Sequence, residues 1–66
     1  MWKVIINFRS GKHVSYSRIE EAYLDEEQTA IETFKLSEGQ TLSFYGNGIA
    51  LSLITDDVES ICFIKD

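Results

Sequence analysis

The pair Asn47-Gly48 lies between two stretches of alternating apolar residues, and it constrains the fold more than any other feature of the chain. A type I′ turn needs positive φ at both central residues, which Asn and Gly adopt more readily than other residues. With this pair as a two-residue loop, Phe44 lies opposite Leu51 and Leu42 lies opposite Leu53. Turn chemistry and alternation thus choose the same register and predict a β-hairpin with one apolar face.

The first residues of the chain alternate in the same way. Residues 2–8 place apolar side chains on one face of a strand, and Ser10-Gly11-Lys12 has the composition of a turn before a second strand at about 13–17. A two-residue loop would oppose Phe8 and His13, whereas a three-residue loop opposes Phe8 and Val14. Because a slip of one residue moves every side chain to the other face, we predict the three-residue loop or an equivalent bulge.

The segment that follows has the pattern of a helix. Ser17-Arg18-Ile19-Glu20 has the spacing of a capping box, with a hydroxyl at the N-cap and a carboxylate at N3. Six apolar residues then fall near one helical face: Ile19, Ala22, Tyr23, Ala30, Ile31 and Phe34. We predict a helix over 18–28. Residues 29–36 favour helix or strand equally, because their β-branched and aromatic residues suit both.

Asp56-Asp57 predicts a turn before a last strand at 58–64. The uninterrupted apolar run Ile61–Ile64 indicates burial on both faces of this strand. The chain is therefore predicted to be one α+β domain over residues 1–66, with two β-hairpins, a final strand and one helix in the order β-β-α-β-β-β. The predicted core consists of Val4, Ile6, Phe8, Leu42, Phe44, Leu51, Leu53, Ile61 and Phe63.

The residue types needed for catalysis or metal binding are nearly absent. The single cysteine, Cys62, excludes an internal disulfide, and with the single histidine, His13, it excludes a Cys/His zinc set. We expect His13 to be exposed after its turn and Cys62 to be buried as a small apolar residue. No nucleophile, base and orienting group can be combined. We predict a protein that is not an enzyme and has no catalytic, metal or cofactor site.

Charge is unevenly distributed along the chain. Residues 1–18 carry four basic residues and no acid, whereas residues 19–66 carry all eleven acids and two lysines, so a net charge of +4 precedes one of −9. A pI near 4.6 argues against direct nucleic-acid binding. The acids of the predicted helix suggest an alternative function, an acidic nucleic-acid mimic that blocks a DNA-binding partner through Glu20, Glu21, Glu26 and Glu27.

The small core predicts self-association. A chain of 66 residues buries only about 60% of its unfolded surface, and no disulfide or metal reinforces it. We expect a non-enzymatic protein-interaction or regulatory module that forms a homodimer and also has an unidentified protein partner. Ile5 and Ile64 are candidate interface residues; Trp2 is either an interface anchor or a cap on its own core. The alternative is a monomer in which Ile5, Cys62 and Ile64 are half exposed.

Location follows from hydropathy. No apolar run reaches the roughly 20 residues that span a membrane, and the N-terminus lacks the pattern of a signal peptide. We therefore expect a cytoplasmic protein that does not bind membranes.

Two short stretches carry a resemblance to known proteins. The opening Trp2-x-Val4-x-Ile6-x-Phe8-x-Ser10-Gly11-Lys12 and the closing Asp57-Val58-Glu59-Ser60-Ile61-x-Phe63-Ile64 resemble short accessory proteins encoded by prophages and mobile elements of Gram-positive bacteria. The resemblance implies an interaction with a host or phage protein and identifies no catalytic residues.

Overall fold

The chain forms one antiparallel sheet of six strands. A computed structural model describes residues 1–66, and its main strands lie in the order β5-β4-β2-β1-β6, with the short β3 paired to β2. Two 3-10 turns, Ile31–Thr33 and Thr55–Asp57, are the only helical segments, the second lying at the predicted Asp56-Asp57 turn. The strands are β1 (Trp2–Phe8), β2 (His13–Leu24), β3 (Glu27–Thr29), β4 (Thr41–Gly46), β5 (Ile49–Ile54) and β6 (Val58–Lys65).

The predicted helix over 18–28 is wrong, and with it the α+β class and the order β-β-α-β-β-β, because β2 continues to Leu24. Two bulges explain the error. Strand β2 has one extra residue against β1 between Tyr16 and Ile19, and another against β4 just after Ile19. Inward side chains in this part of β2 are therefore three residues apart, at Tyr16, Ile19 and Ala22, instead of two. A spacing of three is also the spacing of one helix face.

Two acidic residues within the predicted helix form a hairpin turn instead. Asp25 and Glu26 have φ values of +51° and +70°, as both central residues of a type I′ turn require, and they join β2 to β3. The Asp25 carboxylate accepts hydrogen bonds from the Thr41 backbone N–H at 2.9 Å and from Gln40 Nε2 at 3.1 Å. Of residues 29–36, Thr29 ends β3, and the other seven form neither an α-helix nor a strand, since only the 3-10 turn Ile31–Thr33 follows.

The hairpin of β4 and β5 confirms the predicted register. Phe44 pairs with Leu51 and Leu42 pairs with Leu53 around the two-residue loop Asn47-Gly48. The predicted type I′ conformation is wrong, because only Gly48 has a positive φ, +79°. The loop at Asn47-Gly48 together with the alternation of apolar residues thus gives the correct register even though the turn type differs.

The hairpin of β1 and β2 has a three-residue loop, as predicted, but the loop lies one residue earlier. The Phe8 N–H donates to the Lys12 carbonyl at 2.8 Å, which leaves residues 9–11 as the loop. Ile6 therefore pairs with Val14, so the predicted pairing of Phe8 with Val14 is wrong by two residues. A shift of two keeps each side chain on its face, and the apolar faces still match.

The sheet is strongly curved around its core. The ring centroids of Phe44 on β4 and Phe63 on β6 lie 5.6 Å apart, although two strands separate them in the sheet. Three strand spacings in a flat sheet would be about 14 Å. Gly46 allows a close approach at the bend, since a Cβ there would collide with the Arg18 carbonyl oxygen. The buried apolar residues are Val4, Ile6, Ile19, Ala22, Ile31, Leu42, Phe44 and Val58.

The predicted core is therefore in the right place. Four of the nine predicted residues are buried, and the other five are half-buried against them: Phe8, Leu51, Leu53, Ile61 and Phe63.

The last strand is an edge strand, and its predicted burial on both faces is wrong. Strand β6 pairs only with β1. Its inward residues Ile61 and Phe63 are half-buried, but Ile64 is 47% exposed and Cys62 is exposed rather than buried. The physical reason is that no helix covers the outer face, so alternate members of the apolar run point away from the core.

Candidate functional site

A concave pocket on the outer face of β2 and β4 is lined by two tyrosines and two glutamates. Glu21 pairs with Tyr45 and Tyr23 pairs with Ser43 in the ladder, so these four side chains project from the same face. Glu26 reaches them from the turn after β2, and the five residues line an open concavity of about 440 Å³. We call this site the Tyr–Glu pocket.

The two tyrosine rings form a corner. The ring centroids of Tyr23 and Tyr45 lie 5.4 Å apart and the ring planes meet at 81°. The Tyr23 hydroxyl donates a hydrogen bond to Glu21 Oε2 at 2.9 Å, which fixes one carboxylate against the corner. This hydrogen bond raises the pKa of Tyr23 above its ordinary value, with smaller contributions from desolvation and from the charge of Glu21. The phenol is thus held in its neutral form.

The carboxylates of the pocket have no cationic partner within the chain. The only ion pair joins Arg9 and Glu38, with 2.9 Å between Arg9 Nη2 and Glu38 Oε1. Glu21 and Glu26 are both exposed, and Tyr45 is 44% exposed. The pocket therefore combines uncompensated negative charge with accessible aromatic surface.

The four predicted acidic site residues are exposed, but no helix carries them. Glu20 and Glu21 lie on β2, Glu26 in the turn and Glu27 at the start of β3. Only Glu21 and Glu26 line the pocket.

Sequence reasoning missed the two tyrosines of this pocket. The signal was Glu21-x-Tyr23, since residues two apart share a face of a strand. It is readable only once this segment is recognised as a strand.

The predicted apolar interface residues separate onto two faces. Ile5 pairs with Cys62 and Lys3 pairs with Ile64, so Ile5, Cys62 and Ile64 form a patch on the outer face beside the free edge of β6. We call this group the outer patch. Ile5 is half-buried and Ile64 is 47% exposed.

Trp2 does not join the outer patch. Its ring packs edge-on against Phe63, with centroids 6.5 Å apart, and Lys65 Nζ lies 5.8 Å from the centre of the Trp2 ring. Trp2 therefore covers its own core, the second of the two roles considered for it.

The basic hairpin tip forms a second concave surface of about 730 Å³, with Arg9, Lys12 and His13 in its lining. Asp57 also lines it, and Arg9 is paired with Glu38. Positive charge is thus partly compensated at the tip. His13 is exposed, as predicted.

No group of three or more His, Cys, Asp or Glu side chains is arranged to hold a metal ion. The structure contains no helix with the length and apolarity needed to cross a bilayer. Comparison with protein-family models, with curated proteins and with solved structures finds no match. The resemblance to prophage accessory proteins therefore stays a prediction.

Proposed function

We propose that this chain is a non-enzymatic protein-interaction module that self-associates through the free edge of β6. The observation that carries the proposal is the pattern of that edge: an eight-residue strand that has β1 on one side and no strand on the other, charged only at Glu59 and Lys65. Exposed apolar edges are templates for pairing with another chain unless charge, proline or a bulge blocks them. Here the bulge and the two charges lie at the ends of the strand and leave its middle free.

The backbone of β6 supplies the pairing groups. In an antiparallel ladder, alternate residues direct their N–H and C=O groups to the same neighbour. The Asp66 N–H donates to the Met1 carbonyl at 3.1 Å, so Ile64 and Cys62, two and four residues back, also direct these groups to β1. Ile61, Phe63 and Lys65 then direct theirs to the open edge.

One two-fold register satisfies both the backbone and the charges. When two copies of β6 pair antiparallel about Cys62, Ile61 of each copy lies opposite Phe63 of the other, as a hydrogen-bonded pair. Glu59 then lies opposite Lys65 at both ends, which gives two opposite-charge pairs. A register centred on Ile61 would instead place Glu59 opposite Phe63.

The same register joins the outer patches of the two copies. Ile5 is beside Cys62 within one copy, and Cys62 would face Cys62 of the second copy. An apolar row four residues wide would then cross the interface, and each half would shield the other from water.

Concentration dependence of the mass tests self-association. Gel filtration with light scattering, over a dilution series, should give a mass that rises from 7.6 kDa towards twice that value with concentration. A mass that stays at 7.6 kDa at the highest concentration would contradict the proposal.

Cross-linking tests the register. Facing residues of a non-hydrogen-bonded antiparallel pair have Cα atoms about 4.5 Å apart, inside the range of about 4.4–6.8 Å for disulfides. Diamide, which takes two hydrogens from two thiols, should therefore join wild-type chains through Cys62. In the matched control, Ser60→Cys with Cys62→Ser, the two thiols would lie about 14 Å apart and should join slowly. Equal rates for the two proteins would refute this register.

Acidic mimicry of nucleic acid is the second candidate. Exposure of Glu20, Glu21, Glu26 and Glu27 at the β2–β3 end of the sheet favours it, although the helix that suggested it is absent. A mimic should compete with duplex DNA for a DNA-binding protein of the host, and changing the four glutamates to Lys should abolish that competition. A partner that binds the reversed variant equally well would exclude mimicry.

A further inference from the structure

We propose that the Tyr–Glu pocket binds the cationic side chain of a partner protein, the ammonium of a lysine or the guanidinium of an arginine. The proposal is independent of self-association, because the pocket lies on β2 and β4 and β1 separates these strands from the free edge of β6.

The tyrosine corner is suited to a cation. Aromatic rings carry negative charge on their faces and attract a cation within about 6 Å of the ring centre. The planes of Tyr23 and Tyr45 meet at 81°, so the two rings do not stack face to face, and a cation would be attracted to a ring face rather than to a ring edge. Tyr45 is 44% exposed, so this surface is open to a ligand.

The two carboxylates make the corner selective for positive charge. Glu21 Oε2 accepts the Tyr23 hydroxyl, while Glu21 Oε1 has no hydrogen-bond partner in the chain and is free to accept one from a ligand. Glu26 adds a second carboxylate, which makes no ion pair within the chain; the hydrogen bonds to Thr41 and Gln40 at this turn are made by its neighbour Asp25. An anion would be repelled here, and a neutral apolar group would desolvate a carboxylate without pairing it.

The tyrosine hydroxyl also prepares the site before a ligand arrives. Its bond to Glu21 holds the carboxylate and the ring in one arrangement, so less side-chain freedom is lost when a cation binds. The fifth residue, Ser43, donates to Ser52 Oγ at 3.3 Å and supplies a small floor beneath the corner.

Peptide titration tests the proposal. The probes are acetyl-Gly-Gly-X-Gly-Gly-amide with X as Lys, Arg or the neutral Gln, added to the ¹⁵N-labelled chain and followed by residue-resolved NMR. We expect the Lys and Arg peptides to shift the resonances of β2 and β4 around Tyr45 with millimolar affinity that falls as salt is added. The Gln peptide should cause no comparable shift.

Variants separate the roles of ring and charge. Tyr45→Phe keeps the ring and should bind like the wild type, whereas Tyr45→Leu should weaken binding about 2- to 5-fold, the contribution of one exposed cation–π contact. Glu21→Gln should weaken it by a similar factor. Glu32→Gln, which removes the same charge outside the pocket, should have little effect; this control separates local binding from net charge.

The outcomes are decisive in both directions. The proposal is supported if the cationic peptides bind at the pocket and the Tyr45→Leu and Glu21→Gln losses exceed that of Glu32→Gln. It is overturned if the Gln peptide binds as well as the Lys peptide, if the shifts map elsewhere, or if none appear. Dispersed NMR spectra of each variant show that the sheet is intact, and neither result depends on whether the chain dimerises.

Discussion

Reversing the charge of Glu59 should dissociate the proposed dimer. Mixing this variant with a second variant, in which the charge of Lys65 is reversed, should restore a dimer that contains one chain of each. In the proposed register each Glu59 faces Lys65 of the other copy, so Glu59→Lys converts two attractive pairs into two lysine pairs. The glutamate is exposed and not part of an ion pair within its own chain, so the fold should be unaffected. Lys65→Glu produces two repulsive glutamate pairs instead.

The magnitude follows from the exposure of these groups. An exposed ion pair contributes about 0.2–1 kcal/mol, and replacing attraction by repulsion changes each contact by about twice that amount. Two contacts then change the free energy of dimerisation by about 1–4 kcal/mol, which weakens the dimer about 5- to 700-fold. Glu59→Lys is the cleaner of the two changes, because Lys65 also lies over the Trp2 ring at 5.8 Å.

Mixing provides the decisive measurement. Glu59→Lys alone and Lys65→Glu alone should each be monomeric at concentrations where the wild type is dimeric. An equimolar mixture restores opposite charges at both ends and should form a heterodimer, detectable by light scattering and by native mass spectrometry. Added salt should reduce all of these differences, since exposed charges are screened.

Two results would refute the register about Cys62. If Glu59→Lys dimerises as strongly as the wild type, Glu59 does not face Lys65 of a second copy. If the mixture stays monomeric while the wild type dimerises, the charges act at some other contact and the register about Cys62 is wrong.

Three further predictions concern stability and titration. Phe44→Ala should lower the free energy of unfolding by about 3–5 kcal/mol, measured by urea denaturation, because Phe44 is fully buried; a loss below about 1 kcal/mol would contradict its central place in the core. Gly46→Ala should cost about 1–3 kcal/mol, since its Cβ would collide with the Arg18 carbonyl oxygen, and an unchanged melting temperature would exclude that close approach. The pKa of Tyr23 is raised in the folded state, so its contribution to stability is present below the unfolded value near 10.0 and is lost as pH rises through the folded value. In an absorbance titration Tyr23 should ionise above the ordinary value for a tyrosine, and Glu21→Gln should remove that shift.

The hairpin of β4 and β5 was predictable because local and long-range signals agree there. The loop Asn47-Gly48 and the alternation of 42–53 together specify one register, and the observed pairing of Phe44 with Leu51 is the one that they specify. The first hairpin was predictable only in part. Alternation determines which face each side chain occupies but leaves a shift of two residues open, and the hydrogen bond from Phe8 to Lys12 resolves it.

The second half of β2 could not be read correctly from spacing. Bulges place Tyr16, Ile19 and Ala22 three residues apart on one face, and a capping-box pattern begins at Ser17 within the same stretch, so two helix signals coincide in a strand. The turn at Asp25 and Glu26 could not be predicted either. Both residues have positive φ values, but neither is a glycine that would have marked a turn.

The charge pattern identified acidic candidate residues, but it did not show which of them lie together in the folded chain. Glu21 and Glu26 belong together only because β2 ends in a tight turn, and Tyr23 and Tyr45 join them only because β4 pairs beside β2. Burial of the final strand was overestimated for a related reason. An apolar run shows that its side chains favour burial. Whether both faces of the strand are covered depends on the other elements of the fold.

The two proposed surfaces belong to different parts of one curved sheet, and this separation has a functional consequence. Pairing through β6 would use an edge, whereas the Tyr–Glu pocket opens from the outer face of β2 and β4, so a dimer would leave both pockets free. The two-fold axis would relate the pockets, and a partner with two suitably spaced basic residues would then engage both copies. Binding of the second residue would be intramolecular, which raises affinity without any new contact in the pocket. Because the two pockets would bind together, millimolar affinity for a single cation is compatible with tight binding of a basic partner by the dimer.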